Sequence, residues 1–411
     1  MAAPPVAGQE LMMNQNYTES RNMKKPTLLI LLCTLALAAQ AQTSLADYLT
    51  RRLPKHETRA VWLTTLANLD WPKTYAKSET GILQQKQELT DILDCYRRAN
   101  INPVLLQTRV RAATIYPSAI EPWDRCITGT EGCAPGFGYD PLAFAVEECH
   151  KRGMELHAWI ATIPVGAKNS MGCRLLRQKG FRIRNYATGA YLDPADPNVP
   201  SYLAAICGEI VRNYDVDGIN LDYIRYPEMW HLRVSNDEGR HHITNIVEAI
   251  ARKVKARKAW VKMSCAPIGK FDNLSRYHSY GWNAYTKVCQ DAQGWLRNGL
   301  MDVLFPMMYF QGNHFFPFAI DWSEQSYGRI VVPGLGIYFM SPAEKNWALD
   351  VITREMYVLR QYGMGYAFFR SKFFTDDLKG IYSFTKNEFS RYPALVPAIT
   401  WQWAQRPLPP R

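Results

Sequence analysis

The chain has 411 residues, 47% of them apolar and 21% charged, with 48 basic against 37 acidic side chains and a formal net charge of +11. This mixture builds one large core or two medium ones and excludes a disordered, collagen-like or disulfide-stapled miniature protein. A basic balance suits nucleic acid, an anionic membrane face or an acidic polymer, but the charges are scattered, and the cluster Arg252, Lys253, Lys255, Arg257 and Lys258 reads as the polar face of a helix.

Met23-Lys24-Lys25, the apolar run Leu28 to Ala38 and Ala39-Gln40-Ala41 have the layout of an export signal cleaved before Gln42. The 22 residues ahead of it read as an over-extended start, with Met23 as initiator. The twelve-residue stretch Leu28 to Ala39 is shorter than the roughly 20 residues a spanning helix needs, so no membrane span is expected. Cys33 raises a lipoprotein alternative, which the large Leu32 before it disfavours. Export to the periplasm or beyond argues against a nucleic-acid partner. Residues 42–56 form a lead-in, 57–385 a single barrel and 386–411 a tail. Without residues 1–41 the charge is +10, from 45 basic and 35 acidic side chains.

From residue 59 onward, β-branched and aromatic runs alternate with amphipathic stretches at helical period. Strands are predicted at Arg59 to Thr65, Pro103 to Arg109, Glu155 to Ile160, Gly218 to Tyr223, Val261 to Ala266, Val303 to Tyr309, Ile330 to Ile337 and Gly365 to Phe369. Helices are predicted at Gly81 to Ala99, Pro141 to Arg152, Val199 to Asn213, Glu238 to Arg257, Trp282 to Asn298 and Pro342 to Tyr362. Eight such strands fit an α/β fold of the (β/α)8 TIM-barrel type, with enlarged loops at the C-terminal face where chemistry is built. An open doubly wound sheet is the alternative, but no Gly-x-Gly-x-x-Gly turn follows any strand. Of the eight cysteines after residue 41, Cys126 and Cys133 flank a Gly-rich loop and could close a small ring. Neither a Cys-x-x-Cys pair nor a His-x-x-x-His spacing occurs, so no metal and no cofactor are expected.

Side chains alternate along a strand. Gln107 and Arg109 therefore share one face of the second strand. His157 and Trp159 share one face of the third, and Asn220 and Asp222 the inner face of the fourth, while Ile219, Leu221 and Tyr223 pack outward. A carboxylate at the rim must be paired or in use, and Arg109 and Arg225 are the expected partners of Asp222, holding it ionised. Tyr309 and Gln311 close the sixth strand, and Phe368-Phe369-Arg370 the eighth. Aromatic rings with Gln and Arg at a barrel rim suit a sugar, whose faces stack and whose paired hydroxyls take planar donors. Asp215 and Asp217 read as turn residues, and His157 as a core histidine.

The segments Arg59-Ala-Val-Trp-Leu-Thr-Thr65, Gln107-Thr-Arg-Val-Arg-Ala-Ala-Thr-Ile-Tyr-Pro-Ser118, Glu121-Pro-Trp123, Tyr139-Asp-Pro-Leu142, His157-Ala-Trp159 and Asp217-Gly-Ile-Asn-Leu-Asp-Tyr-Ile-Arg-Tyr-Pro227 resemble the bacterial glycosyl hydrolase-like 10 family. The resemblance implies a TIM barrel and an exported glycosidase, with a bacterial polysaccharide, such as peptidoglycan strands stripped of stem peptides, as substrate. Asp222 falls on an acidic position of the family, whereas Tyr223 stands where many relatives carry a second acid. Glycoside hydrolysis normally employs two carboxyls. Asp222 is expected as nucleophile or base, and Glu228, nearest in sequence, as acid, ahead of Asp272, Asp321, Glu121 and Asp124. The substrate-binding set is Gln107, Arg109, Trp159, Asn220, Arg225, Tyr309 and Gln311. A barrel that binds glycans without cleaving them is the competing reading.

Overall fold

A computed structural model describes residues 53–187 and 189–401. The expected export signal, its cleavage site and Cys33 lie outside the described residues, as do residues 402–411. The strands in chain order are β1 (Arg59–Leu63), β2 (Pro103–Arg109), β3 (Glu155–Ala161), β4 (Pro164–Gly166), β5 (Ile183–Tyr186), β6 (Gly189–Leu192), β7 (Gly218–Asp222), β8 (Lys262–Ala266), β9 (Val303–Leu304), β10 (Ile330–Val331), β11 (Gly334–Leu335) and β12 (Tyr366–Phe368). Nine of them pair in parallel in the order β10-β9-β8-β7-β3-β2-β1-β12-β11.

The two edges of that sheet, β10 and β11, are halves of one stave interrupted at Val332 and Pro333. Proline has no N–H to give a ladder, but the Pro333 carbonyl accepts from Ala367 N at 3.1 Å while Val332 N reaches Leu304 O at 2.8 Å. The stave therefore bonds on both sides and the sheet closes into an eight-stave barrel, as expected from the sequence. β9 is shorter than predicted because Pro306 ends it.

Helices such as Glu79–Arg98, Pro141–Lys151, Val199–Asn213 and Asn236–Arg257 follow the staves. The first, second and fourth of these are capped by Ser78, Asp140 and Ser235, whose side chains accept backbone N–H groups of the first turn. No helix of the described residues is long and apolar enough to cross a membrane. Ile219, Leu221, Val104 and Leu106 belong to the core between staves and helices. A second cluster, with Trp62, Leu105, Trp159, Phe305 and Val332, fills the barrel interior. At its base Gly218 is required, since a Cβ there would lie 2.6 Å from Nδ1 of buried His157.

The predicted helix at Trp282 to Asn298 reduces to Ala292–Arg297. Ahead of it, polar side chains take over backbone bonding: the Asn283 amide oxygen accepts from Thr286 N and Lys287 N, and Gln290 bridges Ile268 N and Ile224 O. The last predicted helix likewise starts late, at Leu349, after Asn346 takes a left-handed turn with φ 53°. The antiparallel sheet β4-β6-β5 inside the loop after β3 has no counterpart in the expectations. Cys126 is buried, Cys133 exposed and both are free, so the small ring does not close.

Glu355, on the helix Leu349–Gln361, is 1% exposed and neither carboxylate oxygen has a hydrogen-bond partner. Burial raises its pKa well above the ordinary value. A carboxyl whose folded pKa is raised binds its proton more tightly when folded. Its contribution is intact below the unfolded pKa and is lost as pH rises through the folded one. Glu355→Met is therefore expected to raise unfolding free energy at neutral pH by about 1–3 kcal/mol and to flatten its fall with pH. Urea unfolding across pH 5–8, about the range of maximal stability, checks this; equal pH slopes for the two proteins would refute it.

Candidate active site

The C-terminal mouth of the barrel holds a cavity of about 330 Å³, within the range of ligand sites. Staves β1, β2, β3, β7 and β12 and the segment after β9 supply its floor and one wall; β4 and β6 supply another through Gly166, Gly189, Ala190 and Tyr191.

Asp222 ends β7, opposite Ala161 of β3 and Ala266 of β8. Its Oδ2 accepts from Trp159 Nε1 at 3.0 Å and its Oδ1 from Tyr223 N at 2.7 Å. Burial raises its pKa above the ordinary 3.8, although the charge of Arg225 and those two bonds pull the other way, and Glu228 adds to the rise. The expectation of a carboxylate whose pKa two arginines depress is thus corrected. Desolvation outweighs the charge of Arg225, and Arg109 is not among the main groups that act on it.

Arg109 is turned away by a bulge. The β2–β3 register shifts between Gln107 and Arg109, which breaks strict alternation. Gln107 lines the cavity, with its Oε1 held by Thr64 Oγ1 at 2.5 Å, Thr65 N at 3.1 Å and Leu66 N at 2.9 Å. Arg109, fully buried, forks onto Glu121 at 2.7–2.9 Å and donates to the carbonyls of Ala161 and Thr162. Tyr202 Oη also donates to Glu121. Glu121 is therefore the counter-ion of Arg109, not a free acid.

Tyr223 also departs from alternation. It takes φ 55° directly after the strand and lines the cavity while its other side packs against the outer core cluster of Ile219 and Leu221. Behind it Arg225 lies 3.8 Å above its ring and 3.5 Å from Glu228, and Tyr223 Oη donates to Glu228 Oε1 at 3.3 Å. Arg225 and Glu228 thus form a layer outside the cavity lining, with Glu228, the expected acid, behind Tyr223 but near enough for its charge to act on Asp222. Among the described residues of the wall, Asp222 is the carboxylate present. Asn220 lies one layer below, fully buried, with Nδ2 on Ser264 Oγ at 3.0 Å. Gln311 is exposed and outside the wall.

Trp159 and Tyr309 do line the cavity, joined by Phe369, whose ring centroid lies 6.5 Å from Trp159 and 5.4 Å from Tyr309. Arg111, Met307 and Arg370 are among the lining residues outside the expected site set. Arg111 and Arg370 carried a signal, standing within two residues of strand ends. No group of three or more metal-ligating side chains occurs among the described residues.

The family model described as glycosyl hydrolase-like 10 matches residues 57–235 and 230–345. The chain is 27% identical over 382 residues to glycosyl hydrolase YngK of Bacillus subtilis, covering 84% of this chain and 74% of that one. It is 28% identical over 289 residues to glycosyl hydrolase DigH of Escherichia coli K12, covering 61% of this chain and 65%, just under two thirds, of that relative. In fold it is similar to alpha-L-fucosidase isoenzyme 2 from Paenibacillus thiaminolyticus, with TM-score 0.55, 14% identity and coverage of 82% of this chain and 50% of that one. The PgaB (BpsB) glycoside hydrolase domain from Bordetella bronchiseptica gives TM-score 0.53, 12% identity and coverage of 79% and 99%.

Proposed function

Since the chain belongs to the glycosyl hydrolase-like 10 family, we propose that it is an exported enzyme that cleaves O-glycosidic bonds of a carboxylate-bearing bacterial glycan, with stripped peptidoglycan strands as the substrate class. We assign Asp222 the role of proton donor to the leaving oxygen. The observation that carries this assignment is a carboxyl at the cavity floor whose pKa burial raises, which is what a donor needs and a nucleophile does not. A bound sugar displaces further water and moves it in the same direction.

With Asp222 the carboxylate of the described wall, a second carboxyl at ~5 Å or ~6.5–9.5 Å is not supplied there. An N-acetylated sugar can take that part itself, as in substrate-assisted glycosidases. The Asp222 proton passes to the glycosidic oxygen, the bond from that oxygen to C1 breaks, and the acetamido carbonyl oxygen bonds to C1. Water then adds at C1, gives its proton to the Asp222 carboxylate and restores the acetamide. The net charge of +10 without residues 1–41 favours approach of an anionic polymer.

The test is release of new reducing ends from stripped glycan strands, analysed by mass. Binding without release would favour the binding-module reading. For a donor, kcat is expected to fall as pH rises through the Asp222 pKa, an alkaline limb placed above the ordinary 3.8. A profile that instead declines only on the acid side would assign Asp222 as nucleophile or base.

A further inference from the structure

Two cations reach the cavity wall, Arg111 and Arg370. Arg370 is committed, through an ion pair with buried Asp70 and a position over the Phe373 ring. Arg111 forms no hydrogen bond or ion pair with another described residue. An exposed arginine is ordinarily a solvated surface group, but this one is held in place by its backbone. It is the exposed corner of a tight turn closed by Val110 N donating to Ala113 O at 2.8 Å, with Ala112 at φ 55°. Val110, Ala112 and Ala113 are all buried. The helix Met171–Gln178 presses on the turn so closely that a Cβ at Gly172 would lie 2.0 Å from Ala112 O.

Next to Arg111 the wall is bare backbone. Gly166 and Gly189 both line the cavity, with φ 89° and 140°, conformations that side chains avoid. A Cβ at Gly166 would lie 3.6 Å from the Arg111 Cβ, and one at Gly189 2.9 Å from Gly166 O. The sugar cavity thus has, beside one unpaired guanidinium, a recess where two side chains are missing. We infer that Arg111 is the specificity residue that takes the substrate's carboxylate, carried on a short arm of the sugar into the recess at Gly166 and Gly189. A guanidinium forks onto a carboxylate with two parallel N–H···O bonds, which an ammonium cannot do.

This inference rests on the hydrolase reading above and is tested separately from it. The probes are one N-acetylated glycan oligomer with free carboxylates and the same oligomer with those groups converted to primary amides. Wild type is expected to favour the acid by tenfold or more in kcat/KM, roughly what a charged contact contributes. Arg111→Gln is expected to bring the two rates to a common value. Arg111→Lys, which keeps the charge and loses the fork, should fall between. Circular dichroism and Tm establish that both variants fold. An acid-to-amide ratio in Arg111→Gln equal to that of wild type overturns the assignment. If wild type cleaves neither oligomer, the hydrolase reading falls, and calorimetric titration of both oligomers into wild type decides the inference: equal affinities overturn it, and a preference for the acid that Arg111→Gln abolishes sustains it.

Discussion

Asp222→Asn is expected to lower kcat on a cleavable glycan by about 10²–10⁴-fold, the share that a positioned proton donor contributes, with KM changed little. The amide fills the same space but has no proton to transfer. It also meets two fixed donors, Trp159 Nε1 and Tyr223 N, and can accept from one with its oxygen while its NH2 opposes the other. A stability loss on the order of 1 kcal/mol should therefore accompany the loss of rate. Single-turnover rates with saturating glycan, together with urea unfolding, separate the two effects. Retention of most of kcat by this variant would move the proton donor to another group.

The largest effect on stability is expected at Glu121→Ala, at about 3–5 kcal/mol, the penalty for leaving a buried charge without its partner. Glu121 and Arg109 are 7% and 0% exposed, and no other carboxylate among the described residues bonds to that guanidinium. The same carboxylate accepts from Tyr202 on the helix Val199–Asn213, so it fastens the loop after β2 to that helix. Glu209, on the same helix, adds to this by accepting from Ser118 Oγ and Ala119 N. The double substitution Arg109→Met with Glu121→Leu should recover much of the loss, because apolar groups of similar volume replace buried ion pairs at little cost. Urea midpoints for the single and double variants provide the check. A single variant within 1 kcal/mol of wild type, well below that penalty, would show the pair to be uncoupled from folding.

The glycine positions offer a contrast in what can be read in advance. Gly166 and Gly189 have no motif of their own, yet they shape the wall beside Arg111 because the loop after β3 folds into the sheet β4-β6-β5. Asp217 shows the limit from the other side: its position before a strand reads as a turn, but its Oδ2 accepts from Leu156 N of β3 at 2.8 Å and lies 2.8 Å from His150 Nε2, an anchor between distant segments.

What the sequence determined by itself is whatever depends on near neighbours. Eight apolar runs specified eight staves, and period-two alternation aimed Asn220 into the barrel and Asp222 at its rim while Ile219 and Leu221 went to the outer core, because a strand alternates wherever it lies. Only the tertiary structure decided which groups meet. The bulge in β2 turned Arg109 from Asp222 to Glu121, the left-handed residue Tyr223 entered the cavity and screened Glu228 from it, and Gln311 fell outside. The physical reason is that a charged side chain takes the partner that costs least to desolvate, and which partners are within reach depends on loops returning from distant parts of the chain. The same closure buries Asp222 enough to reverse the pKa shift expected from its arginine neighbour, a balance of solvent against charge that spacing along a chain does not contain.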